Sequence, residues 1–349
     1  MATPKFTDEV INLSHGSGGK ASHRLIEAVF KSTLANPILD QRDDSAVLPV
    51  GDSQIAFTTD SYVIDPIFFP GGDIGRVAVN GTINDLATAG AEPIGLSLGV
   101  ILEEGFPVPD LRRIVDSMRD AARAAGTSIV TGDTKVVHRG KADKIFINTA
   151  GVGIVRCDPA PSISRARPGD RVLLSGSIGD HGMTVLAARG ELELELETRS
   201  DTAALNGLVT SILDAAREST NEGTSAVRCL KDPTRGGVAT ALNEIAAQSQ
   251  VGVMIEETAI IVRPEVRGAC EILGIDPLYV ANEGKLLVVT SAESSDRVLS
   301  VMRRHEFGTD TRIIGEVTDE PKGLVLLKTA IGGTRVVDML VGDALPRIC

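Results

Sequence analysis

The chain has 349 residues, 42% of them hydrophobic and 23% charged, which suits a soluble protein with enough core for two domains. Asp and Glu number 47 against 35 Lys and Arg, a net charge of −12 that disfavours nucleic acid and anionic membranes as partners. No apolar run reaches the ~20 residues of a membrane span, no basic-then-apolar leader opens the chain, and four cysteines without a C-x-x-C pair suit reduced thiols, so a cytoplasmic protein is expected.

Residues 1–42 read as an arm. A glycine-rich stretch, His15-Gly16-Ser17-Gly18-Gly19-Lys20, precedes a helix from Ala21 to about Leu34. It is not a Walker A loop, because Ser14 stands where the first Gly belongs and Ala21 where Ser or Thr should follow the Lys. It reads equally well as a lid over phosphates or as a loose terminal arm.

A first α/β unit is assigned to residues 43–156. Strands are expected at Ala46–Val50 and Gln54–Thr59, a helix at Gly75–Ala89, a strand at Ile94–Leu102 and a helix at Pro109–Ala125, whose Leu111, Ile114, Val115, Met118, Ala121 and Ala122 fall at helical spacing. Strands at Thr127–Thr131 and Lys144–Val155 complete the unit. The turn-rich run from Asp158-Pro159 to Pro168-Gly169 marks a joint. A second unit, 168–330, reads as strands at Arg171–Ser175, Val251–Glu256, Lys285–Thr290 and Arg312–Val317. Its helices are near His181–Ala188, Asp201–Glu218, Gly237–Gln248 and Ser295–Arg304. After Gly332-Gly333, residues 335–349 show few signs of regular structure and are expected to form a mobile tail of up to ~50 Å when extended.

The tail ends in Leu345-Pro346-Arg347-Ile348-Cys349. A terminal thiol beside Arg347 can act as a nucleophile or carrier on a flexible tether, although one residue alone says little. Acidic residues recur at the ends of apolar runs: Asp43-Asp44-Ser45, Asp60-Ser61, Asn84-Asp85 and Gly132-Asp133. Brought to one cleft they would hold Mg²⁺, which prefers oxygen donors and phosphates; singly they are turn residues. Asp232-Pro233-Thr234-Arg235-Gly236-Gly237 opens a helix, where freed backbone N–H groups can face a phosphate. Lys135 and Glu283, one in each unit, could pair as a tuned proton acceptor. His181, in Gly179-Asp180-His181-Gly182, reads as a turn residue, and Cys157, Cys229 and Cys270 as core thiols.

Taken in order, Asp43-Asp44-Ser45-Ala46, Asn84-Asp85-Leu86, Ala89-Gly90-Ala91-Glu92-Pro93, Gly132-Asp133-Thr134, Asp232–Gly237 and Asn282-Glu283-Gly284 resemble the aminoimidazole-ribonucleotide-synthetase (PurM-like) superfamily of ATP-dependent enzymes over nearly the whole chain. The terminal Pro346-Arg347-Ile348-Cys349 narrows the resemblance to the HypE family of hydrogenase maturation factors. It implies a two-domain α/β (α+β) fold whose N-terminal domains pair into a shared β-barrel across a homodimer. It implies an activity: a carbamoyltransferase, HypF, loads the terminal thiol, ATP drives dehydration of the S-carboxamide to a thiocyanate, and the cyanide passes to HypC–HypD for the [NiFe] centre. On this resemblance Asp44, Asp60, Asp85 and Asp232 would hold Mg²⁺. Asp43, Asn84, Asp133, Thr234, Arg235, Gly236 and Gly237 would join them around ATP. Lys135 and Glu283 would hold and deprotonate the carboxamide, and Cys349 would carry it. Two alternatives stand beside this reading: a selenophosphate-synthetase-like phosphotransferase, disfavoured because residues 15–20 contain no Cys, and a non-catalytic ATP-binding scaffold that presents its tail.

Overall fold

A computed structural model describes residues 8–190, 196–219, 223–342 and 347–348. The arm is helical: α1 (Lys20–Leu25) runs through a π-helical stretch, Ile26–Lys31, into α2 (Ser32–Leu34). The first domain comprises β1 (Ala46–Val50), β2 (Ser53–Tyr62), a small hairpin of β3 (Phe68–Phe69) and β4 (Gly72–Asp73), α3 (Ile74–Thr88), β5 (Ala91–Glu103), α4 (Val108–Ala124), β6 (Ile129–Val137) and β7 (Ile145–Val155). Its five-stranded sheet has the order β1-β2-β7-β5-β6, antiparallel except for β5 beside β6.

One face of this sheet lies under α3 and α4. Along β7 the buried residues alternate, Ile145, Ile147, Thr149, Gly151 and Gly153, as a half-covered strand must. Gly151 is needed there, because a Cβ would stand 2.8 Å from the Thr82 methyl of α3. On α4, Ile114, Met118, Ala121 and Ala122 form the buried stripe that the helical spacing predicts. The other face is open, with Phe57 43% and Ile101 42% exposed. The sheet does not close on itself: β1 and β6 are its edges, and among the described residues of the single chain no sheet forms a barrel.

The second domain comprises β8 (Arg171–Leu174), α5 (Asp180–Ala188), α6 (Asn206–Ser219), β9 (Val227–Lys231), α7 (Gly237–Ser249), β10 (Gly252–Glu256), α8 (Pro264–Leu273), β11 (Leu287–Thr290), α9 (Ala292–Arg304), β12 (Arg312–Thr318), β13 (Val325–Lys328) and β14 (Thr334–Val337). The seven strands have the order β14-β13-β10-β12-β8-β11-β9, antiparallel except for β10 beside β13. Val172, Leu174, Val253, Ile255, Leu287 and Val289 pack with Val238, Leu242 and Ile245 of α7 in its core. The strand β9 lies at the edge beside α3, which brings its C-terminal end to the joint between the domains.

The sequence reading overlooked β9, α8, β13 and β14. In β14 the reason is plain: it is an edge strand with Thr334, Arg335 and Val336 exposed, so it carries no alternating apolar pattern. It pairs with β13 from Lys328↔Thr334 to Val325↔Val337, so the tail expected to swing from residue 335 is held in the sheet as far as Val337. Arg347 and Ile348 are held as well, the latter buried at 3% exposure. Cys349 and the neighbouring Pro346 lie outside the described residues.

Candidate active site

Three carboxylates meet where the domains join. Asp44 precedes β1, Asp85 sits in the last turn of α3, and Asp232 follows β9; one oxygen of each lies within 4.8 Å of the others. On a helix, neighbouring residues point roughly 100° apart, so Asn84 and Asp85 diverge. Asp85 faces β2, where the Thr58 hydroxyl lies 2.7 Å from its Oδ2. Asn84 faces the second domain: its Nδ2 donates to Ala203 O at 3.0 Å and its Oδ1 accepts from Leu205 N at 2.8 Å. Asn84 therefore braces the joint rather than lining the cleft. Asp43 also turns away, accepting from the Ile163 N–H at 2.8 Å in the interdomain segment.

Asp60 lines the same cleft, of about 250 Å³, with Tyr62, Thr234, Arg235 and Glu283. Tyr62 donates to Asp60 Oδ2 at 3.1 Å, and Gly81 makes room for it, since a Cβ there would stand 2.2 Å from the phenol oxygen. Glu283 is almost fully buried. Its N–H donates to Asp201 Oδ1 at 3.0 Å, while Asn282 donates from Nδ2 to Pro233 O at 3.0 Å, tying the Glu283 segment to the Asp232 loop. Glu283 Oε1 is buried without a hydrogen-bond partner among the described residues.

Burial and mutual repulsion raise Asp44, Asp85, Asp232 and Glu283. Asp85 is held well above the usual carboxylate value by burial and then by Asp60, Asp232 and Asp44. Asp232 is pushed up to about 7 by burial and then by Asp44. Burial raises Asp44 too, with Lys231 opposing, and raises Glu283 well above its ordinary value, with Asp232 adding to the effect. The internal counter-ion is Lys231, at the end of β9, which bonds Asp44 and lies 3.3 Å from Glu244. Burial works against its charge, but Asp44, Glu244 and Asp232 hold it well above the ordinary lysine value. Glu244 in turn meets His23 of the arm at 3.1 Å. Acids outnumber cations here, with Lys231 and Arg235 against Asp44, Asp60, Asp85, Asp232 and Glu283, and such a set of oxygens suits a divalent ion.

Beside the acids opens a second cavity of about 830 Å³, walled by Ile26, Phe30 and Leu34 of the arm and by Lys231, Thr234, Arg235 and Gly237. Gly236 and Gly237 start α7 with φ of 77° and 61°, a left-handed pair that side chains disfavour. A Cβ on Gly237 would also meet Leu278 O at 2.4 Å. The glycine-rich stretch of the arm docks here, with Arg235 Nη1 donating to Gly16 O at 2.9 Å. An apolar wall next to a glycine-led helix N-terminus and clustered acids can hold the base and the phosphates of a nucleotide, respectively.

Lys135 and Asp133 are not brought to this cleft. They pair with each other at 2.6 Å on β6, both exposed. Lys135 aligns with Ile101 and Ile101 with Phe146, whereas Asp60 aligns with Thr149. Phe146 and Thr149 are an odd number of residues apart on one strand, so Lys135 and Asp60 project from opposite faces of the sheet. Lys231 and Tyr62 are site residues that sequence reasoning missed; each stands at the end of a strand, where a Lys or Tyr is ordinary.

Two family models match the chain: AIR synthase related protein, N-terminal domain, over residues 42–155, and the C-terminal domain over 167–328. A carbamoyl dehydratase HypE of Azotobacter vinelandii is 53% identical, with 97% of each chain covered. A crystal structure of the hydrogenase maturation protein HypE in complex with ATP matches with a TM-score of 0.80 and 49% identity, covering 97% of this chain and 100% of that one. One of a HypE–HypF complex matches with a TM-score of 0.84 and 46% identity, covering 90% of this chain and 99% of that one. With its two matched domains and full-length relatives, this chain belongs to the AIR synthase related family and, within it, to the HypE carbamoyl dehydratases.

Proposed function

We propose that the protein uses ATP to dehydrate an S-carboxamide carried on its own Cys349, giving a thiocyanate whose cyanide serves the [NiFe]-hydrogenase iron. The observation that carries this reading is the acidic cleft joined to a nucleotide-sized cavity, with the buried Glu283 carboxyl at its wall. The family membership supports it. An amide oxygen is a poor leaving group. Transfer of the ATP γ-phosphoryl to that oxygen makes it a good one; it departs in phosphate, ADP is released, and the nitrogen gives up two protons as C≡N forms. The protein's task is to position the groups and to stabilise charge.

Arg235 and the Gly236-Gly237 turn would face the phosphates. Asp44, Asp85 and Asp232, with Asp60 beside them, would hold Mg²⁺, which lowers the charge on ATP when bound. The closeness of three of these carboxylates and their raised pKa values, whose repulsion a cation would relieve, support this fit. Glu283 would take a carboxamide proton; burial that disfavours its charged form makes it a stronger base once ionised.

The open face of the first-domain sheet suits a second copy of the chain, and a shared barrel between two such faces is our reading of the oligomer. Lys135 projects from that face, so it would act across this interface. HypF would load the thiol and HypC–HypD accept the cyanide, in a compartment that keeps thiols reduced, as the buried free Cys157, Cys229 and Cys270 suit. We read that compartment as the cytoplasm.

The test is intact-protein mass spectrometry after incubation with HypF, carbamoyl phosphate and ATP. The expected product has lost one water from the carbamoylated form, and Cys349→Ala stays unmodified. A labelled Cys349→Ala protein, or a carbamoyl group that ATP leaves unchanged, would sink the reading.

A further inference from the structure

The chemistry above makes no use of His181, yet the structure buries it fully in the first turn of α5. Both ring nitrogens are engaged: Nδ1 lies 2.7 Å from Ser200 Oγ, and Nε2 lies 2.9 Å from the carbonyl oxygen of Ile348. A carbonyl only accepts, so Nε2 carries the proton. In the neutral ring, which burial favours, Nδ1 is bare and accepts from the Ser200 hydroxyl. Ser200 is fixed in turn, its oxygen accepting from the Thr202 N–H at 3.2 Å and its own N–H donating to Pro70 O at 2.9 Å. The donors therefore run in one direction, Thr202 to Ser200 to His181 to Ile348. The Phe69 ring meets the imidazole edge-on at 5.6 Å between centroids and limits its rotation.

The neighbouring contacts belong to the same two tail residues. The Arg347 carbonyl accepts from the Asp65 N–H at 3.2 Å and from Arg189 Nη2 at 3.0 Å. The Arg347 side chain donates from Nε to Val63 O at 3.0 Å and pairs with Asp143. The Ile348 side chain joins the apolar cluster that includes Tyr62, Ile64, Ile67 and Phe69. Tyr62 also lines the acidic cleft, so the two sites share a wall.

We infer that these groups form a receptacle for the chain's own Arg347-Ile348 segment, in which His181 is a positioning residue: its Nε2–H fixes the backbone one residue before Cys349 and so sets where the carboxamide meets the cleft. This rests on the reading of Cys349 as carrier. The hydrogen bond to Ile348 reads only backbone; selectivity comes from the apolar hole for Ile348 and from the Asp143 partner of Arg347.

The test uses full-length wild type, His181→Met, His181→Gln and Ser200→Ala. Each protein, already carbamoylated by HypF, is given ATP, and water loss is followed by intact mass. In parallel, trypsin release of the two residues after Arg347 is timed, since cleavage needs an undocked tail. His181→Met should release them about five- to ten-fold faster, the worth of one net hydrogen bond, and dehydrate more slowly by at least that factor. His181→Gln keeps an N–H near the Nε2 position and should recover both rates, which a loss of packing alone would not allow. Ser200→Ala removes only a hydroxyl, should fall between, and keeps the test decisive if the Met variant melts early. Wild-type rates in both His181→Met and Ser200→Ala, or a Gln variant no better than Met at equal melting temperature, overturn the proposal. Failure of wild-type Cys349 to accept a carbamoyl group at all would instead overturn the carrier reading, because loading precedes docking.

Discussion

The acidic cleft and the tail receptacle share Tyr62 and differ in almost everything else. The cleft gathers Asp44, Asp85, Asp232 and Glu283, with Lys231 as the bonded counter-ion and a Glu283 oxygen that has no hydrogen-bond partner among the described residues. The receptacle is built of apolar side chains and the His181 relay, with Arg189 and Asp143 at Arg347, and the chain's own end satisfies it. One site keeps its acids in mutual repulsion, which the proposed cation would relieve; the other is complete as it stands. The difference teaches that reactivity and placement are assigned to separate surfaces, so each can be damaged without the other.

The largest expected effect is on chemistry. Glu283→Gln keeps the shape of the carboxyl and removes its capacity to take a proton. Dehydration of the loaded tail should fall by about 10²–10⁴-fold, the usual worth of a general base. Intact mass would show the carbamoyl form persisting while trypsin release after Arg347 stays at the wild-type rate. Faster release would mean the two surfaces are not separable.

A smaller and opposite effect is expected on stability. Asp85→Asn removes one carboxylate from the repelling set and keeps an acceptor for Thr58. The variant should melt about 2–4 °C higher than wild type at pH 8 without metal, as roughly 1 kcal/mol gives in a cooperative unit of about 150–250 residues, and lose most of the stabilisation Mg²⁺ gives the parent. The direction follows from the raised carboxyls. A group whose folded pKa lies above its unfolded value contributes stability that is present below the unfolded value and lost as pH rises through the folded one. For Asp232 that window runs from 3.8 to about 7. Wild type should therefore lose more stability than Asp85→Asn across this window. Equal pH slopes in thermal scans would remove Asp85 from the set.

The smallest effect concerns the rim of the receptacle. Asp143→Asn weakens a partly exposed pair with Arg347. Exposed pairs contribute about 0–1 kcal/mol, so trypsin release should quicken by no more than about five-fold, less in high salt. An effect larger than that of His181→Met would move the anchor of the tail from the backbone to the side chain.

Much of the cleft was legible because Asp44, Asp85 and Asp232 stand at or beside the ends of regular elements, and the helix Val108–Ala124 and the strand Ile145–Val155 carry a clear periodicity. The partner of each acid was not legible. Asn84 and Asp85 look alike as neighbours, and only the helix rotation sends one to the joint and the other to the cleft. Lys135 and Glu283 seemed a pair in one cleft, but strand parity puts Lys135 on the opposite face of its sheet. His181 read as a turn residue because its role depends on Ile348, far along the chain. The edge strand β14 hid for want of an apolar alternation, and so the tail seemed free from residue 335.

That strand changes how the tail must be treated as a ligand. Pinned at Val337, the segment to Ile348 reaches at most roughly 35–40 Å. A tether this short keeps its end at an effective concentration on the order of millimolar around its own receptacle. Docking can then be weak in bimolecular terms and still be well populated, independent of how dilute the protein is. Loading by another protein has to compete with that local concentration, whereas a free peptide of the same sequence would have to reach millimolar levels to displace the tail.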